Sequence, residues 1–360
     1  MDKMDVLLNW RETRAAGVPA LKHVFGPVPS RRLGRSLGID PVPLKTCNLS
    51  CVYCQLGRTL RPTTRRRAFF SAGEIFAEVA TALARNEPDA IDWITFVGSG
   101  ETTLFSRLGS LIRRIKSLTE VPVAVITSGS LLYLPKVREE LMAADAVLPS
   151  LDAGTEKMYR NINRPSHGLT LADHVDGMVE FRRAYHGGLW VEVMILGGVN
   201  DSTSALRDLA AVLERVEPDE IHLSTPTRPP TEPWVEPPSL EGMERAASIL
   251  GRVAKVLPPT DVEAVTSIDG GLVDAILSII ARHPLKESEV EGLLTVWLRT
   301  QVEETLNALP ASGRIQIVER YGERFWCPAG AAFPDPRLEW YPPSGAENSG
   351  ILGGDHGRPN

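Results

Sequence analysis

The feature that most constrains this chain is a regular exchange of two periodicities between residues 71 and 224. Short apolar runs at Ile91–Val97, Val121–Thr127, Ala146–Leu151, Leu189–Leu196 and Glu220–Ser224 read as strands. Between them lie segments with a helical apolar stripe: Ser71–Arg85, Leu104–Leu118, Leu134–Ala143, Leu171–Tyr185 and Ser202–Val216. Ser71, with Glu74 three residues on, has the form of a capping box. Pro122 confines its strand to an edge or places itself at the strand's start. A further short strand is expected at about residues 36–42. Strand–helix alternation of this kind predicts an α/β fold with a parallel sheet and helices outside it. In β/α barrels the functional groups gather at the C-terminal ends of the strands.

The chain's 360 residues can bury a large core and suggest about two domains. No apolar run reaches about 18 residues, so no membrane span is expected. The start, Met1-Asp2-Lys3-Met4-Asp5, lacks the pattern of a signal peptide. Four cysteines, three of them clustered, do not make a disulfide framework, and the cytoplasm is the expected compartment.

Cys47, Cys51 and Cys54 fall within eight residues, in Lys45-Thr46-Cys47-Asn48-Leu49-Ser50-Cys51-Val52-Tyr53-Cys54-Gln55; Cys327 lies far away. Soft thiolates select iron–sulfur clusters or zinc over hard cations. A zinc site needs a fourth ligand, and neither His nor Cys follows at zinc-knuckle spacing. Common ferredoxin clusters use four thiolates, so three leave one iron with an open position.

The Cys-x3-Cys-x2-Cys loop, with aromatic Tyr53 before its last cysteine, resembles the signature of the radical SAM superfamily. The resemblance implies a partial (β/α)6 TIM-like barrel and a [4Fe-4S] cluster on Cys47, Cys51 and Cys54. It further implies S-adenosylmethionine (SAM) chelated to the open iron. One electron would then cleave the sulfonium to a 5′-deoxyadenosyl radical that abstracts hydrogen from a substrate. The stretch from Phe25 to Asp40, and on through Gln55-Leu56-Gly57, resembles a poorly characterised branch related to the wyosine synthases. Those synthases are expected to carry further cysteines upstream, and none precedes Cys47 here, which argues against wyosine synthesis.

The resemblance extends to the strand ends. Gly98-Ser99-Gly100-Glu101 is similar to the Gly-Gly-Glu motif that holds the SAM amino group. Ser128 follows the third strand, where relatives often carry Asn. Ser150 and Asp152 resemble a Ser-x-Asp that meets the SAM ribose or carboxylate. Arg164 fits the methionine carboxylate by its fork geometry. Asn200 is similar to a polar position near the adenine, and Leu223 would flank it. No catalytic side chain is assigned.

A Pro-rich bend over residues 226–238 is expected to cross the barrel mouth, followed by a helix Leu240–Val256 and a strand near Val262–Val265. A second unit is expected over residues 267–332. Its three helices, Leu272–His283, Glu287–Leu294 and Thr295–Leu309, precede a hairpin at Gly313–Arg320 and Arg324–Trp326, the pattern of a winged helix-turn-helix. Residues 1–24 form an N-terminal segment, 25–266 the core barrel, and 333–360 a tail with the composition of disorder.

Charge is unevenly placed: residues 1–70 carry a balance of +9 and the remainder −15. The basic excess peaks at Arg58, Arg61, Arg65, Arg66 and Arg67, which suits an anionic substrate, a nucleic-acid backbone or an acidic flavodoxin- or ferredoxin-like electron donor. Residues 272–309 of the second unit sum to −3, the wrong sign for DNA, so that unit is expected to contact protein or position substrate. RNA, a peptide or protein side chain, and a small metabolite all stand as substrates. The competing reading is a non-enzymatic iron–sulfur or zinc regulator whose winged helix docks a partner. The strand-end motifs count against it.

Overall fold

The computed structural model describes residues 21–258, 277, 279–294, 309 and 313–334. Strands β1 (Val24–Ser30) and β2 (Gly34–Ile39) form an antiparallel hairpin. From β2 onward the sheet is parallel and follows chain order: β3 (Trp93–Phe96), β4 (Val123–Thr127), β5 (Ala146–Pro149), β6 (Gly188–Met194), β7 (Glu220–Ser224) and β8 (Ala254–Val256). The crossovers carry helices α1 (Ala72–Arg85), α2 (Leu108–Lys116), α3 (Pro135–Leu141), α4 (Glu156–Ile162), α5 (Leu171–Ala184), α6 (Thr203–Val216) and α7 (Leu240–Leu250). This is the α/β arrangement that the alternation predicts and the partial TIM-like barrel that the resemblance implies.

Alternating strand residues build two layers. Ile94, Phe96, Val123, Val125, Val147, Leu189, Val191, Ile221 and Leu223 face the helices and form the main core. Ala124, Ala146 and Leu148 face inward, where Leu33 from the β1–β2 turn packs on them beside Trp93 and Trp190. The hairpin tip thus closes the floor of the barrel. Higher up, the Ser36 and Thr95 hydroxyls meet at 2.6 Å.

Local signals set the element ends. Ser71 caps α1 by accepting from the Glu74 amide, and Pro122 stands immediately before β4, with its carbonyl taking the Ile94 amide. Ser202 caps α6 by accepting from the Ala205 amide. Three features depart from the sequence reading. The Pro/Gly-punctuated stretch before β2 is itself a strand, β1, with an irregular register between Phe25 and Val28. A short helix, α4, follows β5 under the Thr155 cap. The helix expected over 240–256 stops at Leu250, because Gly251 takes φ +86°, and Ala254–Val256 instead extends the sheet beside β7. The strand expected near 262–265 lies outside the described residues.

In the C-terminal unit, β10 (Ile315–Arg320) and β11 (Glu323–Pro328) form the expected hairpin, turning at Tyr321–Gly322. A two-residue strand, β9 (Leu285–Lys286), pairs on β11, and α8 (Glu287–Leu294) follows it. Ile280, Leu285, Val290, Leu309, Ile315 and Trp326 give this unit its own small core. The other two helices expected here lie largely outside the described residues, as do residues 1–20 and the expected tail from 335 on.

His174 on α5 is buried against the Tyr159 ring, and burial pushes its pKa down to about 4. The unfolded chain therefore binds a proton that the folded chain refuses between pH 6.5 and 4. Stability is fully retained above about pH 6.5 and falls by about 1.4 kcal/mol per pH unit for this group below it. Urea unfolding from pH 7 to pH 4.5 should show this decline, and His174→Leu should remove one proton's worth of the slope.

Candidate cluster and cofactor site

The three clustered cysteines sit in the long loop between β2 and α1, at the C-terminal end of the sheet. Backbone hydrogen bonds stitch this loop to its neighbours. Lys45 N donates to Ser99 O at 2.7 Å and Glu101 N to Thr46 O at 2.8 Å, tying it to the segment after β3. Ser50 N to Asn163 O (3.0 Å), Val52 N to Ile162 O (2.9 Å) and Ser166 N to Asn48 O (2.9 Å) tie it to the segment after α4. Two glycines permit the close approach. A Cβ on Gly100 would lie 2.1 Å from Thr46 O, and one on Gly98 would lie 2.4 Å from Asp40 Oδ1.

Each sulfur of the cluster loop has one N–H donor. The Leu49 amide points to Cys47 Sγ at 3.5 Å, Asn163 Nδ2 to Cys51 Sγ at 3.6 Å, and Lys45 Nζ to Cys54 Sγ at 3.1 Å. Burial raises both the Cys47 thiol, to about 12, and the Cys51 thiol, further still. Burial also works against the Lys45 ammonium, but Cys54, Cys47 and Cys51 outweigh it and hold the lysine charged. Such buried thiols become ligands only when a metal replaces their protons. Among the described residues, no three His, Cys, Asp or Glu side chains converge as the ligands of a single ion. A cluster offers a separate iron to each thiolate, so it suits sulfurs spread around a shared centre. The donor set fits it: three soft ligands and three N–H groups, one of them the Lys45 cation that offsets cluster charge.

Two buried carboxylates hold the surrounding strand ends. Glu101 accepts from Thr103 N (2.8 Å), the Thr103 hydroxyl, the Thr127 hydroxyl (2.5 Å) and Ser128 N (2.7 Å), so it pins the ends of β3 and β4 together. Asp152 accepts from Tyr53 OH (2.6 Å), Asn163 Nδ2 (2.7 Å) and Met194 N (2.8 Å), joining the cluster loop to the ends of β5 and β6. Burial raises the Asp152 carboxyl, while the bonds from Tyr53, Met194 and Asn163 pull it back down.

The other residues singled out in the sequence distribute as follows. Ser99 is bound to Asp40 through its amide (3.1 Å) and hydroxyl (2.6 Å). The Ser128 hydroxyl meets Ser130 at 2.7 Å, and Asn48 Nδ2 reaches the same Ser130 at 2.8 Å. Ser150 donates its amide to Thr127 O and pairs across to Glu192. Asn200 turns inward, accepting from Leu196 N (2.8 Å) and donating to the Asp152 and Met194 carbonyls. Arg164 already holds a carboxylate, that of fully buried Glu232, which Arg58 also grips at 2.9 and 3.0 Å. Leu223 lies in the core on the helix side of β7, and the strand does not bring it to the others. Of the basic stripe, Arg58 is committed to Glu232, and Arg66 to Glu140 and two backbone carbonyls; Arg61, Arg65 and Arg67 are exposed.

The Pro-rich bend crosses this end of the barrel as expected. Glu232 N donates to Val52 O (2.9 Å), Thr231 Oγ1 to Cys54 O (2.8 Å), and Gly197 N to Glu236 O (2.9 Å). The C-terminal unit then docks on the same loop. Gln55 Nε2 reaches Arg282 O (3.1 Å), Arg282 Nε reaches Asp40 (3.2 Å), and Arg58 N reaches Ala332 O (2.7 Å). Asp40, Lys45, Asn163 and Glu232 were missed as site residues. Lys45 stands in the cysteine loop and Asn163 directly before Arg164, but their partners lie across folds of chain that a single sequence does not pair.

A cysteine loop at the C-terminal end of a partial barrel, opposite a Gly-x-Gly-Glu turn, defines the class: this is a radical SAM protein, and the Radical SAM superfamily model matches residues 42–210. That superfamily uses a [4Fe-4S] cluster and SAM. Within it, the chain belongs to the UPF0026 family. It is 33% identical over 310 residues to UPF0026 protein MJ1312 of Methanocaldococcus jannaschii, covering 84% of this chain and 94% of that one. It is also 42% identical over 244 residues to a protein of Brachyspira hyodysenteriae named GTPase Obg; the match covers 68% of this chain but only 35% of that relative's length. Among solved structures, a radical SAM methyltransferase from Sphaerobacter thermophilus aligns with a TM-score of 0.46 at 20% identity, over 61% of this chain and 66% of that one.

Asp152→Ala would leave the Tyr53 hydroxyl, the Asn163 amide and the Met194 amide without their shared acceptor. Unfolding free energy should fall by about 3 kcal/mol. Iron retained per chain after reconstitution should fall with it, as read by urea titration and iron assay.

Proposed function

We propose that this protein is a radical SAM enzyme with one [4Fe-4S] cluster held by Cys47, Cys51 and Cys54. The observation that carries the reading is the one-to-one match of three sulfurs with three N–H donors on a loop clamped by buried carboxylates. Cys47, Cys51 and Cys54 would hold the cluster, and once reduced by an external electron donor it would supply the electron for cleaving SAM, the source of a 5′-deoxyadenosyl radical for hydrogen abstraction from a substrate.

The chain's own residues divide the remaining work. Lys45 offsets the charge of the loaded site, and the Leu49 and Asn163 donors stabilise thiolate over thiol at Cys47 and Cys51. Gly98, Ser99 and Gly100 let the backbone after β3 approach a bound cofactor, and Glu101 fixes that backbone while presenting negative potential to an ammonium. Ser128 and Ser150 offer hydroxyls at adjacent strand ends. Asp152 and Asn200 set the path of the β5 and β6 ends against the cluster loop, with Tyr53 as the link. Arg164 stands at the rim, where a methionine carboxylate would compete with Glu232 for its guanidinium. Exposed Arg61, Arg65 and Arg67 form a basic face for an acidic flavodoxin- or ferredoxin-like donor.

Anaerobic reconstitution followed by dithionite and SAM should release 5′-deoxyadenosine, measured by chromatography. Cys51→Ala should lose the sulfur-to-iron charge-transfer absorbance and at least a hundredfold of that release. A reconstituted protein with intact cluster absorbance that neither binds nor cleaves SAM would support the iron–sulfur regulator instead.

A further inference from the structure

Below the cofactor level, the barrel interior holds more cationic charge than this reaction's first steps require. The β1–β2 turn carries Arg31 and Arg32 immediately before the inward-packed Leu33. Arg32 pairs with Glu192 on the inner face of β6, and both side chains are 14% exposed. Arg228, on the bend after β7, is 4% exposed and grips Glu289 of α8 through both terminal nitrogens. Arg31 is half-buried, with Arg32, Glu192 and Arg228 as its charged neighbours, yet makes no hydrogen bond or ion pair with any described residue. Three guanidinium groups thus face two carboxylates: Glu192, ion-paired to Arg32 but with its Oε1 otherwise unpartnered, and Glu289, held by Arg228.

Buried polar atoms nearby are also unpartnered. Arg32 Nε and Arg228 Nε have no acceptor, and His222 Nδ1 has no partner although its Nε2 meets Glu220 at 2.8 Å. His222 is 4% exposed and faces the interior beside Trp190. Buried donors left open cost stability unless something occupies them, and a guanidinium is the group that best matches a planar or tetrahedral oxyanion. Burial, then the fields of Arg228 and Arg31, drives the His283 pKa down to about 3.

We propose that Arg31, with Arg32 and Arg228, binds the anionic group, a carboxylate or a phosphate, of a small-molecule substrate inside the barrel. The inference deepens the radical SAM reading and rests on it for the word substrate. Its position suits that role. Glu192 lies two residues before Met194, whose amide is held by Asp152, and His283 touches Gln55 of the cluster loop (3.4 Å). A small anion is favoured over a polymer because the bend and the C-terminal unit already lie across the cluster loop through Thr231, Gln55 and Arg58.

Inorganic phosphate and malonate, titrated into the full chain at constant ionic strength with chloride as the balancing anion, test the site without SAM turnover. At least one should bind saturably by calorimetry and raise the thermal midpoint; whichever does so identifies the phosphate or the carboxylate. Arg31→Gln should weaken that binding at least tenfold, Arg31→Lys should weaken it less, and exposed Arg61→Gln should leave it unchanged. Equal binding by Arg31→Gln, no saturable binding of either anion, or displacement of the anion by a short single-stranded RNA at comparable concentration would overturn the proposal. Arg31→Lys keeps the test open if Arg31→Gln does not fold. Because anion binding and 5′-deoxyadenosine release are read separately, loss of either leaves the other standing.

Discussion

The site depends on Asp152. One buried carboxylate at the end of β5 takes a phenol from the cluster loop, an amide side chain from the segment after α4 and a backbone amide from β6. A loop as long as the one between β2 and α1 would otherwise lose a large conformational entropy in holding three sulfurs in place. Asp152 and Glu101 offset that cost from below. Asn163 carries the constraint onward, since the same Nδ2 that meets Asp152 also points to Cys51 Sγ. Sulfur placement is thereby coupled to the sheet rather than to the loop's own preferences.

A second constraint acts from above. Glu232, on the bend, is fully buried between Arg58 and Arg164, and its carboxyl is held below the usual range: burial pushes it up, but the two arginines prevail. The C-terminal unit adds Arg282 on Asp40, which also binds Ser99, so one acid joins the end of β2, the Gly-Ser-Gly-Glu turn and the unit 242 residues downstream. This unit is part of the barrel's upper wall. Its acidic helix composition, puzzling for nucleic acid, has a structural use in Glu289, which pairs with Arg228.

Much of this was legible because it is local. Strand and helix order, the Ser71 cap, the position of Pro122, the bend's course and the cysteine spacing all follow from periodicity and short-range stereochemistry. The parts that were not legible depend on distant pairs. Glu101 reads as a free acceptor for an ammonium until four donors are seen around it. Arg164 reads as a carboxylate clamp, and it is one, with Glu232 sixty-eight residues away as its partner. Leu223 has the apolar character to flank a base, but β7 alternates it to the helix side. The β1 strand was hidden because Pro27 and Pro29 read as interruptions; pairing with a single neighbour at the sheet edge accommodates them.

The most direct test of the central claim is Mössbauer spectroscopy of the reconstituted, oxidised protein with and without SAM. Three cysteine-ligated irons and one open iron predict that SAM shifts a single subsite of a four-iron cluster and leaves the others unchanged. A spectrum unaltered by SAM, or a site that takes up zinc in place of a cluster under the same anaerobic conditions, would contradict the account.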